Sequence, residues 1–244
     1  MPVVNYINSS FWFKKLKSNT IFIIHLPRTR NSKHDVTSDV NTYNITMQNL
    51  THNPSDTELS RGFTVARYKK AISQIPPDRD AIATMICNRF TERYIAPVSI
   101  QGTHGFTIMA VSCLMIEALE TFRQGWKNSE RQSKAAFCYF FDASEPFKDF
   151  RGYVQIFYTH IRCGILHQAE TTGGWRIRRD KSPLIDVNNL TINAELFLNV
   201  LKLVLDDYCD MLKAADWEST EWRNARNKLG EIVKNCRIPI DSHS

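Results

Sequence analysis

The segment from Tyr158 to Glu170 holds the side chains of this sequence that are best suited to chemistry on an anion. They are one arginine, two histidines and one glutamate, namely Arg162, His160, His167 and Glu170. An arginine carries a permanent planar charge that suits phosphate oxygens, whereas a histidine can exchange a proton near neutral pH. Because that pair suffices for acid–base catalysis on a phosphodiester, we place the candidate active site here.

Arg162 and His167 are five residues apart on what the apolar pattern predicts to be one helix. Five residues turn a regular helix by about 500°, which leaves the two side chains about 140° apart. They can reach one substrate only if the helix ends at Gly164, or if two copies of the chain form the site together. The alternative is structural, with Arg162 paired to a carboxylate and His167 bonded to a buried carbonyl group.

Apolar periodicity predicts an all-α fold, a bundle of five to seven helices. The predicted helices span residues 60–73, 78–94, 103–123, 129–141, 147–168, 193–214 and 218–235. Residues 103–123 are apolar on most sides, which is typical of a central buried helix. After Gly173 and Gly174, residues 175–178 and 184–187 alternate as strands do, so we expect a small β-hairpin insertion between helices.

Residues 1–56 differ from the rest because they are rich in Asn, Ser and Thr and have no helical period. This composition predicts a poorly structured N-terminal arm, with one or two weak strands at most before Leu26. A start codon assigned too far upstream would give the same pattern. Residues 57–244 are then the predicted helical domain.

The bulk composition narrows the partners and the compartment. The 244 residues carry a net charge of +6 and a pI near 9.0, which favours an anionic partner, most commonly a nucleic acid. The six cysteines form no CxxC pair, so we expect neither a zinc site nor disulfides. The apolar run at residues 21–24 is too short to span a membrane. We therefore predict a cytoplasmic protein with no membrane partner, no metal and no cofactor.

Two carboxylates interrupt the otherwise apolar central helix, and a buried carboxylate must be paired or protonated. Glu117 either orients Arg162 or Arg151 within the site or lies on a solvated edge beside Arg123. For Glu120 the local pairing with Arg123 is the favoured interpretation. His160, Gln168 and Glu170 lie next to the catalytic pair and are supporting candidates.

Two further features could contact phosphate. His104 precedes the central helix, whose N-terminal N–H groups suit an anion, although an ordinary helix cap is the favoured interpretation. A basic and aromatic patch follows the motif and could bind RNA, with a solvated hairpin as the equal alternative. The patch consists of Trp175, Arg176, Arg178, Arg179 and Lys181.

The pattern Arg162-x4-His167, at the end of an apolar helix in a basic and helical chain, resembles the Rx4-6H motif of the HEPN superfamily. The resemblance covers roughly residues 103–214, and it departs from the family pattern at Cys163, where a polar residue often follows the arginine. It implies a helical homodimer in which two motifs share a cleft. It also implies metal-independent RNA cleavage through the 2′-hydroxyl, with Arg162 and His167 as the catalytic pair.

The same resemblance implies a bacterial toxin or phage-defence protein that acts on RNA, with tRNA as one candidate and an antitoxin or defence protein as a partner. The alternative is a non-catalytic HEPN-like module that binds nucleotides or RNA, or that only dimerises. A DNA-binding regulator finds little support, because no helix-turn-helix pattern stands out.

Overall fold

The computed structural model describes residues 53–100, 102, 104–180 and 182–236, which form a mainly helical fold with two small sheets. The predicted helical bundle with a small β insertion is therefore confirmed. Most of the predicted N-terminal arm lies outside the described residues. Its last residues contribute a short 3-10 helix, Pro54–Asp56.

A β-hairpin and two helices open the described part of the chain. Strand β1 (Glu58–Ser60) pairs antiparallel with β2 (Phe63–Thr64), and α1 (Val65–Ser73) follows directly. The helix predicted from Ser60 therefore begins at Val65, because the chain first turns back at Gly62, where φ is +69°. After the prolines comes α2 (Arg79–Phe90), which is capped by the Asp78 carboxylate accepting from Ala81 N at 3.0 Å.

Beyond α2 the helical path changes type. A π-turn, Thr91–Ile95, and a 3-10 turn, Ala96–Val98, complete the segment that was predicted as helical to Tyr94. The central helix α3 (Gly105–Arg123) then packs against α4 (Ser133–Ala143), α7 (Ala194–Ala214) and α8 (Thr220–Asn235). By length and composition α3 could cross a membrane, but 67% of that stretch is buried inside the fold. Its apolar character serves the core, as the sequence predicts.

A cluster of buried phenylalanines fixes the segment that carries the arginine and the histidine. Its members are Phe137, Phe140, Phe141, Phe147, Phe150, Phe157 and Phe197. The Phe157 ring stacks on Phe197 of α7, with centroids 5.5 Å apart and planes 10° apart. Such contacts between aromatic rings add to the burial of their apolar surface. The motif-bearing segment is therefore anchored against α4 and α7.

The β insertion is a three-stranded sheet, not the predicted hairpin. Strands β3 (Arg176–Arg178) and β4 (Ile185–Asp186) do not pair with each other, and both pair with β5 (Thr191–Asn193). β5 runs parallel to β3 and antiparallel to β4. Strand β5 was not predicted because its last residue, Asn193, also caps α7. The Asn193 side chain accepts a hydrogen bond from Leu196 N at 3.1 Å.

Candidate active site

The motif lies on a helix that changes type along its length, and we call residues 154–168 the motif helix. It begins as α5 (Val154–Ile156), continues as a π-helix, Phe157–Cys163, and ends as α6 (Gly164–Gln168). The π-helix buries Phe157 and Ile161 and leaves Arg162 partly exposed. π-Helical turns are rare and are frequent at functional sites.

The motif helix does not end at Gly164, so the first of the two alternatives for bringing Arg162 and His167 together does not hold. Gly164 has helical angles, φ −57° and ψ −55°, and α6 continues to Gln168. The helix ends where Ala169 takes the left-handed conformation at φ 55°. Three of the five steps from Arg162 to His167 are therefore α-helical, so the two residues lie on different faces of the motif helix.

Gly164 is required for a different reason, which is close packing. A Cβ atom at this position would lie 2.6 Å from Glu170 O and 3.3 Å from Thr171 Cα. Both of these atoms belong to the chain that folds back along the helix after Ala169. Glycine is thus the residue that lets the segment after the motif lie directly on the motif helix.

Arg162 is held by Glu117 of the central helix. Its Nε and one terminal nitrogen both lie 2.9 Å from Glu117 Oε1, and the Tyr158 ring centroid lies 5.5 Å from the guanidinium carbon. The Glu117 side chain is 10% exposed and that of Arg162 is 16% exposed. Burial alone would lower the pKa of Arg162, but the hydrogen bond and charge of Glu117 outweigh it and raise that pKa. Arg162 is therefore a fixed and permanent cation.

Glu120 follows the local interpretation. Its Oε1 accepts from Arg123 at 3.0 Å and its Oε2 accepts from Gln124 Nε2 at 3.2 Å. Burial raises the pKa of this carboxyl group, and the charge of Arg123 opposes that rise. The two glutamates of the central helix therefore have different partners. Glu117 pairs with Arg162 of the motif helix, whereas Glu120 pairs with Arg123 near the end of its own helix.

His167 is exposed near the end of α6, and no hydrogen bond or ion pair joins its ring to another described residue. Gln168 is exposed beside it. The carboxylate of Glu170 turns away to its own loop, where it accepts from Thr171 N at 2.9 Å. No direct contact joins Arg162 to His167 within the described part of one chain. An exposed ring without an internal partner is free to meet a ligand.

His160 supports the loop that follows the motif. Its Nδ1 shares a hydrogen bond of 2.8 Å with Thr172 Oγ1, and its carbonyl oxygen accepts from Thr172 N at 3.0 Å. The ring also lies against Gly173, where a Cβ atom would come within 2.7 Å of Nδ1. The role of His160 in this structure is therefore to hold the loop against the motif helix.

The predicted RNA-binding patch divides between core and surface. Trp175 is only 5% exposed and belongs to the core, which corrects the expectation that its ring lies on the binding surface. Arg176 donates to Asn189 O at 3.0 Å, and Arg178 and Arg179 are exposed but paired with acids. Those partners are Asp180 for Arg178 and Glu195 for Arg179. Lys181 lies outside the described residues. These pairs reduce the positive charge that the patch presents.

His104 caps α3, since its Nδ1 lies 3.4 Å from Phe106 N and accepts its N–H. The fold also brings His104 beside Arg178 and Arg179, around a shallow pocket of about 390 Å³. Gly105 permits this approach, because a Cβ there would lie 2.9 Å from Ile177 Cγ2. Two features that were predicted separately, the helix start and the basic patch, therefore share one surface.

A second group of cations, which the sequence did not predict, lies elsewhere on the fold. Arg89, Arg93 and Lys228 line a groove of about 370 Å³ between α2, α3 and α8, and Glu117 lies in its wall. Arg89 and Arg93 are four residues apart, so their shared helix face could have been found from spacing. Lys228 is distant in sequence, and no local signal places it beside them.

Among the described residues, no group of three or more His, Cys, Asp or Glu side chains could hold a metal ion. No family model, curated protein or solved structure matches this chain.

Proposed function

We propose that this protein is a metal-independent endoribonuclease of the HEPN type, in which Arg162 and His167 are the catalytic residues. One observation carries the proposal: a cation fixed by a buried carboxylate precedes, by five residues, an exposed histidine with no partner among the described residues. A fixed cation and a free titrating group are the two parts that phosphodiester cleavage requires.

The reaction follows from these roles. The 2′-hydroxyl of the RNA attacks the adjacent phosphorus, and the bond to the 5′-oxygen of the next nucleotide breaks. The 2′-hydroxyl loses a proton and the leaving 5′-oxygen gains one. His167 accepts the first proton or donates the second, and solvent water takes part in the other transfer. Arg162 stabilises the extra negative charge on the phosphoryl oxygens, which Glu117 permits by fixing the guanidinium. The products are a 2′,3′-cyclic phosphate and a 5′-hydroxyl.

The separation of the two side chains favours a site shared by two copies of the chain. On one motif helix they lie on different faces, so a single chain does not aim both at one phosphate. In a two-fold dimer, Arg162 of one protomer can face His167 of its partner. Leu166 and Ile156 leave apolar surface on the same helix, 37% and 36% exposed, which is compatible with such an interface.

The second candidate is a non-catalytic HEPN-like module that binds RNA or only dimerises. It is favoured by the pairing of Arg162 with Glu117, since a cation that already has a carboxylate partner can be purely structural. A toxin or phage-defence role, with tRNA as one target, is part of the endoribonuclease proposal and requires that the protein cleaves RNA.

Purified protein incubated with total RNA and tRNA in the presence of EDTA separates the two candidates. We expect cleavage by the wild type and at least about a hundredfold slower cleavage by His167→Ala, because a general acid or base is lost. His167 is exposed, so this variant should keep the stability of the parent. Lys202→Ala, an exposed change on α7, is the matched control and should cleave normally.

The ends of the products complete this test. A 2′,3′-cyclic phosphate or its hydrolysis product is expected, and a 2′-deoxy substitution at the cut nucleotide should abolish cleavage. Intact RNA after incubation with the wild type, or equal rates for wild type and His167→Ala, would exclude the enzyme and leave the module.

A further inference from the structure

The groove between α2, α3 and α8 concentrates positive charge. Burial, and then the charge of Arg93, lowers the pKa of Arg89 to about 10. Burial, and then the charge of Arg89, also lowers the pKa of Lys228. Arg89 therefore lies close enough to both Arg93 and Lys228 for their charges to repel it, in a place where water screens them incompletely.

Their partners within the described chain are carbonyl oxygens and not carboxylates. Arg89 and Arg93 donate to Leu59 O at 2.7 and 3.4 Å, and Lys228 donates to Lys127 O at 2.7 Å. None of the three forms an ion pair with a described residue, although the charge of Glu231 opposes the lowering of the Lys228 pKa. Glu231 itself pairs with Lys234 at 2.6 Å. The positive charge of the groove is therefore not neutralised by the fold.

The wall of the groove leads to the candidate active site. Glu117, its only lining carboxylate among the described residues, is engaged with Arg162 at 2.9 Å. The polar rim residues Asn128 and Ser129 add side-chain groups that can form hydrogen bonds. Arg89 on α2, Arg93 on the π-turn that follows it and Lys228 on α8 thus line a groove that also contains Glu117, the partner of Arg162. Repeated charges along a groove fit successive phosphates better than they fit a single anion.

We propose that this groove binds the phosphodiester backbone of the RNA strand that is cleaved at Arg162 and His167. The proposal rests on the function proposed above, because it concerns the substrate of that site. Arg93 and Lys228 contact phosphates on either side of the groove. Arg89 donates to the Leu59 carbonyl group and adds its positive charge to the groove. Such contacts supply affinity without reading sequence.

The test measures binding of a fluorescent single-stranded RNA to the His167→Ala protein by anisotropy, over a range of salt concentrations. In this background, Arg93→Glu and Lys228→Gln should each weaken binding about tenfold and make it less dependent on salt. The control is Lys202→Glu, which reverses an exposed charge on α7 and should change the affinity less than about twofold. Thermal melts check that each variant folds, and Arg93 is exposed, so that substitution should be tolerated.

Equal affinities for the groove variants and the control would overturn the proposal. So would inorganic pyrophosphate that binds as tightly as the oligonucleotide and displaces it fully, because the groove would then be a site for small phosphates. The two proposals fail separately. If RNA binds through the groove but the wild type leaves it intact, the proposed ribonuclease activity is wrong and RNA binding by the groove is supported. If the wild type cleaves RNA and the groove variants cleave it with an unchanged KM, the groove does not bind the substrate and the ribonuclease activity is supported.

Discussion

Replacing Arg162 with leucine is expected to lower the free energy of unfolding by about 3–5 kcal/mol. The reason is the carboxylate that remains: Glu117 is 8% exposed, and its only ionic partner in the described chain is Arg162. A buried charge that loses its partner keeps the cost of desolvation and loses the attraction that offset it.

Urea denaturation of the wild type and three variants measures this effect. The double variant Arg162→Leu/Glu117→Leu should recover most of the loss, because it removes both buried charges. Lys213→Leu breaks an exposed pair with Asp210 on α7 and should cost about 1 kcal/mol or less. If Arg162→Leu unfolds at the same urea concentration as Lys213→Leu, then Arg162 is not fixed by Glu117.

Gly164→Ala is expected to destabilise the fold by about 3 kcal/mol, at the upper end of the range for overpacking. Inside a helix such a change normally stabilises by about 1 kcal/mol, because alanine has the higher helix propensity. Here the new methyl group would meet Glu170 O at 2.6 Å and Thr171 Cα at 3.3 Å. Both contacts are with backbone atoms, so the segment that contains Glu170 and Thr171 has to move away from the motif helix.

Gly230→Ala is the matched control for this substitution. Gly230 also lies inside a helix, α8, but a Cβ atom there meets no atom within 4 Å. It should therefore stabilise the protein by about 0.5–1 kcal/mol. Thermal unfolding of the two variants should show melting temperatures that move in opposite directions. Similar gains in both would show that residues 170–172 do not pack on Gly164.

The long helices were predictable because their signals are local. Two helices were predicted to begin at Asp78 and Asn193, and in the structure these residues are their N-caps. The central helix was recognised from its nearly continuous apolar surface. The β insertion was less accessible, since pairing depends on which strands meet in space. The strand 191–193 is short, and its last residue also serves as a helix cap.

The candidate site was predictable only in part for the same reason. Glu117 and Arg162 are far apart in sequence, so their pairing was one of two alternatives until the fold joined α3 to the motif helix. The backbone contact that requires glycine at position 164 leaves no mark in the local pattern. Burial of Trp175 and convergence of Arg89 with Lys228 likewise depend on tertiary packing.

We propose that Arg162 and His167 from two protomers form one site, and mixed dimers test this arrangement. The first protein is Arg162→Gln/Glu117→Gln, in which both charges of the buried pair are removed together. The second is His167→Ala. Each protein is expected to be inactive alone. The two are co-expressed with different affinity tags, and the dimers that carry both tags are separated from those that carry one.

A mixed dimer keeps one site that has both Arg162 and His167, contributed by different protomers. We predict that the double-tagged dimer cleaves RNA at about half the rate of a wild-type dimer, since one of its two symmetric sites is intact. Double-tagged dimers as inactive as the two parents, beside an active wild type, would contradict a site shared between protomers.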